Sequence, residues 1–509
     1  MADFIIAHDV GTSSDKAVLV DFEGHVCGSF IEPYEVYYRE ANFAEQNPED
    51  WWNAVCKTTR ALIEEKALKP ESIRAITFST QLLGIVPIKG GKPLRNAIIW
   101  LDARATEQAA KLMRKFVSER LFAALSGAAL TGKDGLPKLM WLKEKEPETY
   151  ENMETFVDTN GYLLLKATGN VVMELSCASA FGIDIKKKEW MKWLFKFAGI
   201  DPGKLPPIGK SIQPAGYLTR EAAVELGLLE GTPVFPGGGD APCAAVGVGA
   251  VLDGEGHIYL GTSGWVAVTT GKAYTGKHGV VVIHSVDPEH PLLFAETETA
   301  GYCLKWIKDE FYRSESADAT IANVYALMDE DVERIPAGSD GILFTPWMYG
   351  ERAPVNDCLV RSSFFNITAS HRREHLLRAV YEGVCYNLRW IIEIVEKDFG
   401  FPLKTLKVLG GGARGDVWMQ ILADVTGRNV ETVESPQERG AVGAAFCALI
   451  GLGVYRDFSE IKSVIKVKNQ FTSSPQNREV YNFMYRNYKS IYKNTKNICH
   501  EINKERRIT

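Results

Sequence analysis

The sequence predicts a mixed α/β protein made of two related halves, and three observations carry that prediction. Apolar strand segments come first as a hairpin and then alternate with helical segments. Gly-Thr-Ser sits between two apolar segments at Gly11-Thr12-Ser13 and again at Gly261-Thr262-Ser263, about half the chain apart. A triple glycine follows an apolar segment at Gly237-Gly238-Gly239 and again at Gly410-Gly411-Gly412. One such echo would be commonplace; two in the same order indicate duplication.

Residues 4–10 read as a buried strand, 11–15 as a turn and 16–20 as a second strand, with the next turn near Glu23-Gly24. Asn47-Pro48-Glu49-Asp50 ahead of Trp51-Trp52 carries an N-cap and then proline at the first helical position. Residues 73–79 form another strand. Val234-Phe235-Pro236 leads into the first triple glycine and a helix with several small residues, and residues 406–409 lead into the second in the same way. The polar, glycine-rich stretch 252–256 marks a boundary, giving domains 1–252 and 253–509. Residues 478–497 read as a solvated helix before a frayed basic end.

The 509 residues are 46% apolar and 24% charged, which suffices for a large core without disulfides. A net charge of −6 excludes a strongly basic nucleic-acid binder, so any anion must be held by local loops. Nine cysteines without a Cys-x-x-Cys pair fit reduced thiols in the cytoplasm. The segment Met1-Ala2-Asp3 shows no secretory signal, and the apolar run 241–252 is far shorter than the ~20 residues of a membrane span.

Asp9-x-Gly11-Thr12-Ser13-Ser14-x-Lys16 offers backbone amides, hydroxyls and one cation to a phosphate; a plain polar hairpin is the other reading. It is not a Walker A loop, because the Gly-Lys-Ser/Thr ending is absent and a strand follows. Asp9, at the end of an apolar strand, suits a bound Mg²⁺. Gly261-Thr262-Ser263-Gly264 repeats this chemistry, so a nucleotide held between the halves is expected. Gly410–Gly412 can let a base or ribose lie on bare backbone, although taken alone the run reads better as a close helix–strand crossing. Asp240, after three glycines and before Ala241-Pro242, suits a general base first, a role compatible with the N-cap that is the other reading. His371 and His375 lack a third ligand and read as an exposed first helical turn; His8 and Cys243 read as packed residues, and Trp141 and Trp390 as core.

In this order, these elements resemble the FGGY carbohydrate kinase family, nearest its xylulokinase branch. The resemblance runs from Asp9 to about Gly451. It includes the Asp9–Lys16 loop, Asn47–Trp52, Pro93-Leu94-Arg95, Trp100-x-Asp102-x-Arg104, Lys138-Leu139-x-Trp141-Leu142 and the stretch 362–382, where Asn366 replaces a usual glycine. It implies two actin-like (ribonuclease-H-type) domains closing on ATP, Mg²⁺ and a small sugar or polyol in an interdomain cleft. By matching position it implies Asp240 as catalytic base and Asp9 as the carboxylate serving metal and phosphates, with both as candidate metal ligands. Gly11, Thr12, Ser13, Ser14, Lys16, Gly261 and Thr262 become phosphate contacts, and Gly301, Gly411 and Gly412 nucleotide-side positions. Gln81, Leu82, Leu83, Trp100, Asp102 and Ala241 become the sugar edge. Xylulokinases usually read Gln-Met-His-Gly where this chain has Gln81-Leu82-Leu83-Gly84, and asparagine where it has Ala241; Asn160-Gly161 replaces a Lys-Asp pair. The first two changes make the pocket more apolar at two edges, and a lost hydrogen-bonding group shifts discrimination among sugars. The expected substrate is a ketopentose such as xylulose, with another pentulose, a short polyol or a sugar acid as alternatives, and a homodimer is allowed. Two other classes compete: a non-catalytic regulator of the same fold, and an actin-like filament or chaperone ATPase.

Overall fold

β1 (Phe4–Val10) and β2 (Ser14–Asp21) form the opening hairpin, because apolar runs flank a short polar turn. The computed structural model describes residues 3–40, 42–115, 130–321 and 323–505. β3 (Val26–Pro33) continues the hairpin antiparallel to β2, and β4 (Ile73–Thr80) lies parallel to β1. β5 (Gly216–Tyr217) and β6 (Pro233–Gly239) complete a six-stranded sheet of order β5-β6-β4-β1-β2-β3. In the second half run β7 (Gly256–Leu260), β8 (Gly264–Thr269), β9 (Val281–His284), β10 (Pro291–Thr297), β11 (Thr405–Leu409), β12 (Asn429–Val433) and β13 (Val467–Phe471). Their order is β9-β10-β8-β7-β11-β12-β13.

Helices named below are α1 (Pro48–Glu65), α2 (Asp240–Gly247), α3 (Gly301–Phe311), α4 (Arg373–Phe399), α5 (Asp416–Thr426), α6 (Arg439–Gly451) and α7 (Arg478–Glu505). α1 starts as its sequence requires: the Asn47 side chain accepts from the Glu49 amide at 3.3 Å, and Trp51, Trp52, Val55 and Leu62 are buried.

The two sheets repeat one pattern of parallel and antiparallel neighbours. β7 and β8 stand for β1 and β2, β10 for β3, β11 for β4, β12 for β6, and β13 for β5. The Gly-Thr-Ser echo therefore falls at equivalent hairpin turns. The triple-glycine echo does not: Gly237–Gly239 lie within β6, whereas Gly410–Gly412 follow β11, the counterpart of β4. The helix after Gly410–Gly412 also departs from expectation. It follows a 3₁₀ turn and carries Trp418 and Met419, and the small-residue counterpart of α2 is α6.

α2 and α6 cross between the sheets, and each packs on the other half's sheet. Ala441, Val442, Ala445 and Leu449 of α6 share a core with Ile5, Ala7, Val18 and Val20. Ala241, Ala244 and Ala245 of α2 join Trp265, Ala267, Leu409 and Val433. The approach is close because Gly247 and Gly443 face backbone. A Cβ on Gly247 would lie 1.9 Å from the Arg439 carbonyl oxygen, and one on Gly443 1.9 Å from that of Cys243.

α7 corrects the expected solvated tail. It extends to Glu505 and buries Tyr481, Met484, Tyr485, Tyr488 and Ile491 in the second-half core, the spacing of an amphipathic helix. His371 lies just before α4 with its side chain 3% exposed, and His375 accepts the Arg372 amide, so this is not the exposed helical turn expected. Trp141 and Trp390 are only partly buried. Among the described residues, no helix is long and apolar enough to cross a membrane.

Candidate active site

Asp9, next to last in β1, lies directly opposite Lys16, and Ser79 Oγ donates to its Oδ1 at 3.0 Å. Burial raises the Asp9 pKa, while Lys16 and Ser79 pull it back. Lys16 Nζ donates to the Gln437 carbonyl at 2.7 Å, so a first-half cation reaches the loop between β12 and α6. The Gly11–Ser14 turn is pinned from behind. Tyr34 Oη donates to the carbonyls of Gly11 (2.6 Å) and Ser14 (3.0 Å), and Gln46 Nε2 donates to that of Thr12 (2.7 Å). Ser13 is left exposed, with Thr12 and Ser14 half-buried.

The second turn docks on α3. Gly301 N donates to the Gly261 carbonyl at 2.7 Å, and Ala300 N and Tyr302 N donate to the Thr262 carbonyl, leaving Thr262 exposed. The Gly301 amide is thereby taken up within the protein. Gly410 donates its amide to the Pro436 carbonyl at 2.9 Å, Gly412 packs against Leu260 and Trp418, and Gly411 is exposed beside Gln437. Close packing thus accounts for Gly412, and Gly411 is the open member of the run.

Asp240 is the first residue of α2, and Gly239 is the cap, so the N-cap reading of Asp240 gives way. The preceding strand bulges to aim it. The register shifts between Phe235 and Gly238, and Gly237 has φ +63°, with no room for a Cβ, which would lie 2.2 Å from the Phe78 carbonyl oxygen. Burial pushes the Asp240 pKa up to about 7; the Ala241 amide, donating to Oδ1 at 2.8 Å, opposes this, and the charges of Asp9 and Glu296 add to it.

Of the expected sugar edge, Leu82 lies against the residue before this carboxylate, while Gln81 and Trp100 are held by Gln46 and the first turn. Gln81 Nε2 donates to Gln46 Oε1 at 2.8 Å. Leu82 covers Gly239, the residue before Asp240, and Leu83 is held at φ +63°, a strained conformation for leucine. Trp100 Nε1 donates to Thr12 Oγ1 at 2.8 Å, tying the sugar edge to the first turn. Two expected members do not join this edge. Ala241 points its fully buried methyl into the core beneath α2 and contributes only its amide, to Asp240. Asp102 is 0% exposed, with both oxygens held by Arg104 at 2.7–2.9 Å and Oδ2 also taking the Ala44 amide. It anchors the loop from below. Asp102→Ala removes one of the two carboxylates on the buried Arg104 guanidinium and leaves Glu45, so it should cost about 1–3 kcal/mol, read as a lower urea midpoint.

Sequence reasoning missed a charged cluster across the cleft. Lys133 Nζ of the first half donates to Glu298 Oε1 at 2.9 Å. Arg352 donates through Nε to Glu298 (2.9 Å) and through Nη1 to Glu296 (2.5 Å). Glu351, fully buried and pushed up to about 8 by burial, takes the amides of Glu298 and Arg352 and fixes their backbones. The signal available was the charged pair Glu351-Arg352 set between Gly350 and Ala353-Pro354.

A hydroxyl-bearing turn in each half, with a carboxylate near neutrality between them, suits transfer of a phosphoryl group to a hydroxyl. The family model described as the FGGY family of carbohydrate kinases, N-terminal domain, matches residues 4–247, and its C-terminal counterpart matches 256–452. A xylulose kinase of Bacillus subtilis (strain 168) is 32% identical over 500 residues, covering 97% of this chain and 98% of the relative. A gluconokinase of the same organism is 30% identical, covering 91% of each. The crystal structure of ligand-bound xylulose kinase from Lactobacillus acidophilus superposes with a TM-score of 0.87 at 24% identity, over 97% of this chain and 98% of that one, a likeness of fold. The chain belongs to the FGGY family of carbohydrate kinases. It is a sugar kinase, and sugar kinases of this family use ATP.

Proposed function

We propose that this kinase transfers the γ-phosphoryl group of ATP to a hydroxyl of a small sugar, a ketopentose such as xylulose being the first candidate. The observation that carries this reading is the position of Asp240. It stands at the start of α2, beside the Leu82 face, with a pKa of about 7 that suits removal of a hydroxyl proton at neutral pH. In this reading Asp240 takes the proton as the hydroxyl attacks. Ser13, Ser14 and Lys16 grip phosphate oxygens from one half and Thr262 from the other, and Gly411 lies on the nucleotide side. Trp100, Gln81, Leu82 and Leu83 shape the sugar edge, and domains 1–252 and 253–509 close over it to exclude water.

Asp9 and Asp240 fit a divalent cation such as Mg²⁺: each is largely shielded from solvent, and the charge of Asp9 helps raise the Asp240 pKa. When bound, the ion supplies neutralisation of phosphate charge.

A panel of xylulose, other pentuloses, pentitols and gluconate with coupled ADP detection tests the reading; no acceptor-stimulated ADP release from any of them would sink it. A sugar acid is the second reading, favoured by the likeness to the Bacillus subtilis gluconokinase. The base also sets a pH dependence. Only ionised Asp240 accepts a proton, so kcat/KM should fall about tenfold per pH unit on the acid side of a midpoint near or below 7, seen in a pH–rate profile.

A further inference from the structure

Arg352 lies in the second half, yet its surroundings belong to the acceptor side of the cleft. Its guanidinium carbon sits 5.7 Å from the centre of the Trp100 ring, and Trp100 in turn holds the Thr12 hydroxyl. Two of its three nitrogens are fixed, Nε on Glu298 and Nη1 on Glu296. The third, Nη2, is shielded from solvent and makes no hydrogen bond among the described residues. A planar guanidinium pinned at two nitrogens cannot turn the third away, so the direction of Nη2 is set. The Glu296 charge is also felt by Asp240, which places this cluster within electrostatic reach of the base.

We propose that Arg352 is a specificity-determining residue whose Nη2 donates to an oxygen of an uncharged polyhydroxylated acceptor, a ketose or polyol rather than a sugar acid. Charge decides the class. Glu296 and Glu298 already balance Arg352 and Lys133, and what remains beside the acceptor is the negative charge of Asp9 and Asp240, offset in part by Lys16 on the nucleotide side. A carboxylate on the acceptor would enter that field with little positive charge to meet it among the described residues: Lys138 spends its ammonium on the Ile99 and Leu83 carbonyls and burial lowers its pKa to about 7, whereas a neutral hydroxyl or carbonyl oxygen needs only the donor. The Lys133–Glu298 pair also joins the halves, so the donor takes its place as the cleft closes. This inference rests on the kinase reading above and narrows its acceptor.

Steady-state kinetics on the full-length chain test it, with xylulose, a pentitol and gluconate as acceptors. The uncharged acceptors should be used at least about tenfold better than gluconate in kcat/KM. Arg352→Gln should raise the KM of the best uncharged acceptor about 10- to 100-fold, while the KM for ATP moves less than about threefold. An ATP-dependent rise in melting temperature reports that the variant is folded. If it is not, Arg352→Lys serves: charge is kept, the fixed planar fan is lost, and the acceptor KM should still rise about fivefold or more. An unchanged acceptor KM, or equal rises for acceptor and ATP, overturns the assignment. Turnover that prefers gluconate also overturns it and leaves the kinase reading standing; turnover with none of the acceptors removes both.

Discussion

Asp240→Asn should lower sugar-dependent turnover by about 10²–10⁴-fold while ATP binding stays within about threefold. The amide keeps the shape of the side chain and the contact with the Ala241 amide, and it removes the negative charge and with it the ability to take a proton. Turnover by coupled assay and nucleotide affinity by calorimetry separate the two effects; a variant keeping more than about a tenth of wild-type turnover would show that Asp240 is not the base. The same substitution should stabilise the fold. Asp240 has its pKa raised from 3.8 to about 7, so the folded state holds the proton more tightly than the unfolded chain does. The stability this group contributes is full below 3.8 and is lost as pH rises through about 7. Asparagine does not ionise, so the melting temperature of the variant should gain on wild type as pH rises through that window, measured without nucleotide or metal. Activity and stability move in opposite directions at one residue.

Gly443→Ala should be, with Gly247→Ala, among the most damaging single-methyl additions at the described glycines. The new Cβ would lie 1.9 Å from the Cys243 carbonyl oxygen, and both partners are helix backbone, so no side chain can swing aside. Overpacking of this kind costs about 1–3 kcal/mol, and here relief requires α2 and α6 to separate. Asp240 opens α2, so separation displaces the proposed base, and a shift of about 1 Å at the reacting groups can cost about 10²-fold in rate. Both effects should appear together, as a lower melting temperature and a lower kcat. Unchanged stability would mean that the two helices cross less tightly than the structure has them.

Much of this was legible locally. The opening hairpin, the Asn47-Pro48 helix start and the strand from Ile73 follow from short-range pattern and cap chemistry, and the structure has all three. The Gly-Thr-Ser turns were read as equivalent because each sits between two strands of a hairpin, a relation visible in the sequence. The glycine runs misled because identical residues serve different geometry: Gly237 lies in a strand bulge, and Gly410 in a turn packed on Leu260. The burial of α7 was visible in the spacing of Tyr481, Tyr485 and Tyr488, but its Lys and Asn content suggested solvent. For the candidate site, motif and resemblance pointed to Asp9, Lys16 and Asp240, and the structure links Asp9 with Lys16 across the hairpin and couples it electrostatically to Asp240. Asp102 was not separable from a ligand-facing carboxylate, because its partner Arg104 stands only two residues on and burial cannot be read from so short a segment. Arg352 and Glu296 are 56 residues apart, and only the completed fold makes them neighbours.

The exchange of α2 and α6 between the sheets limits how this molecule can open. Withdrawing one half from the other would bare Ile5, Ala7, Val18 and Val20 on one side and Trp265, Ala267 and Leu409 on the other. Any opening that keeps this seam packed is a change of angle about it, largest in the parts farthest from the pivot. On the proposed reading the sugar meets a hinge, with Asp240 mounted beside the pin.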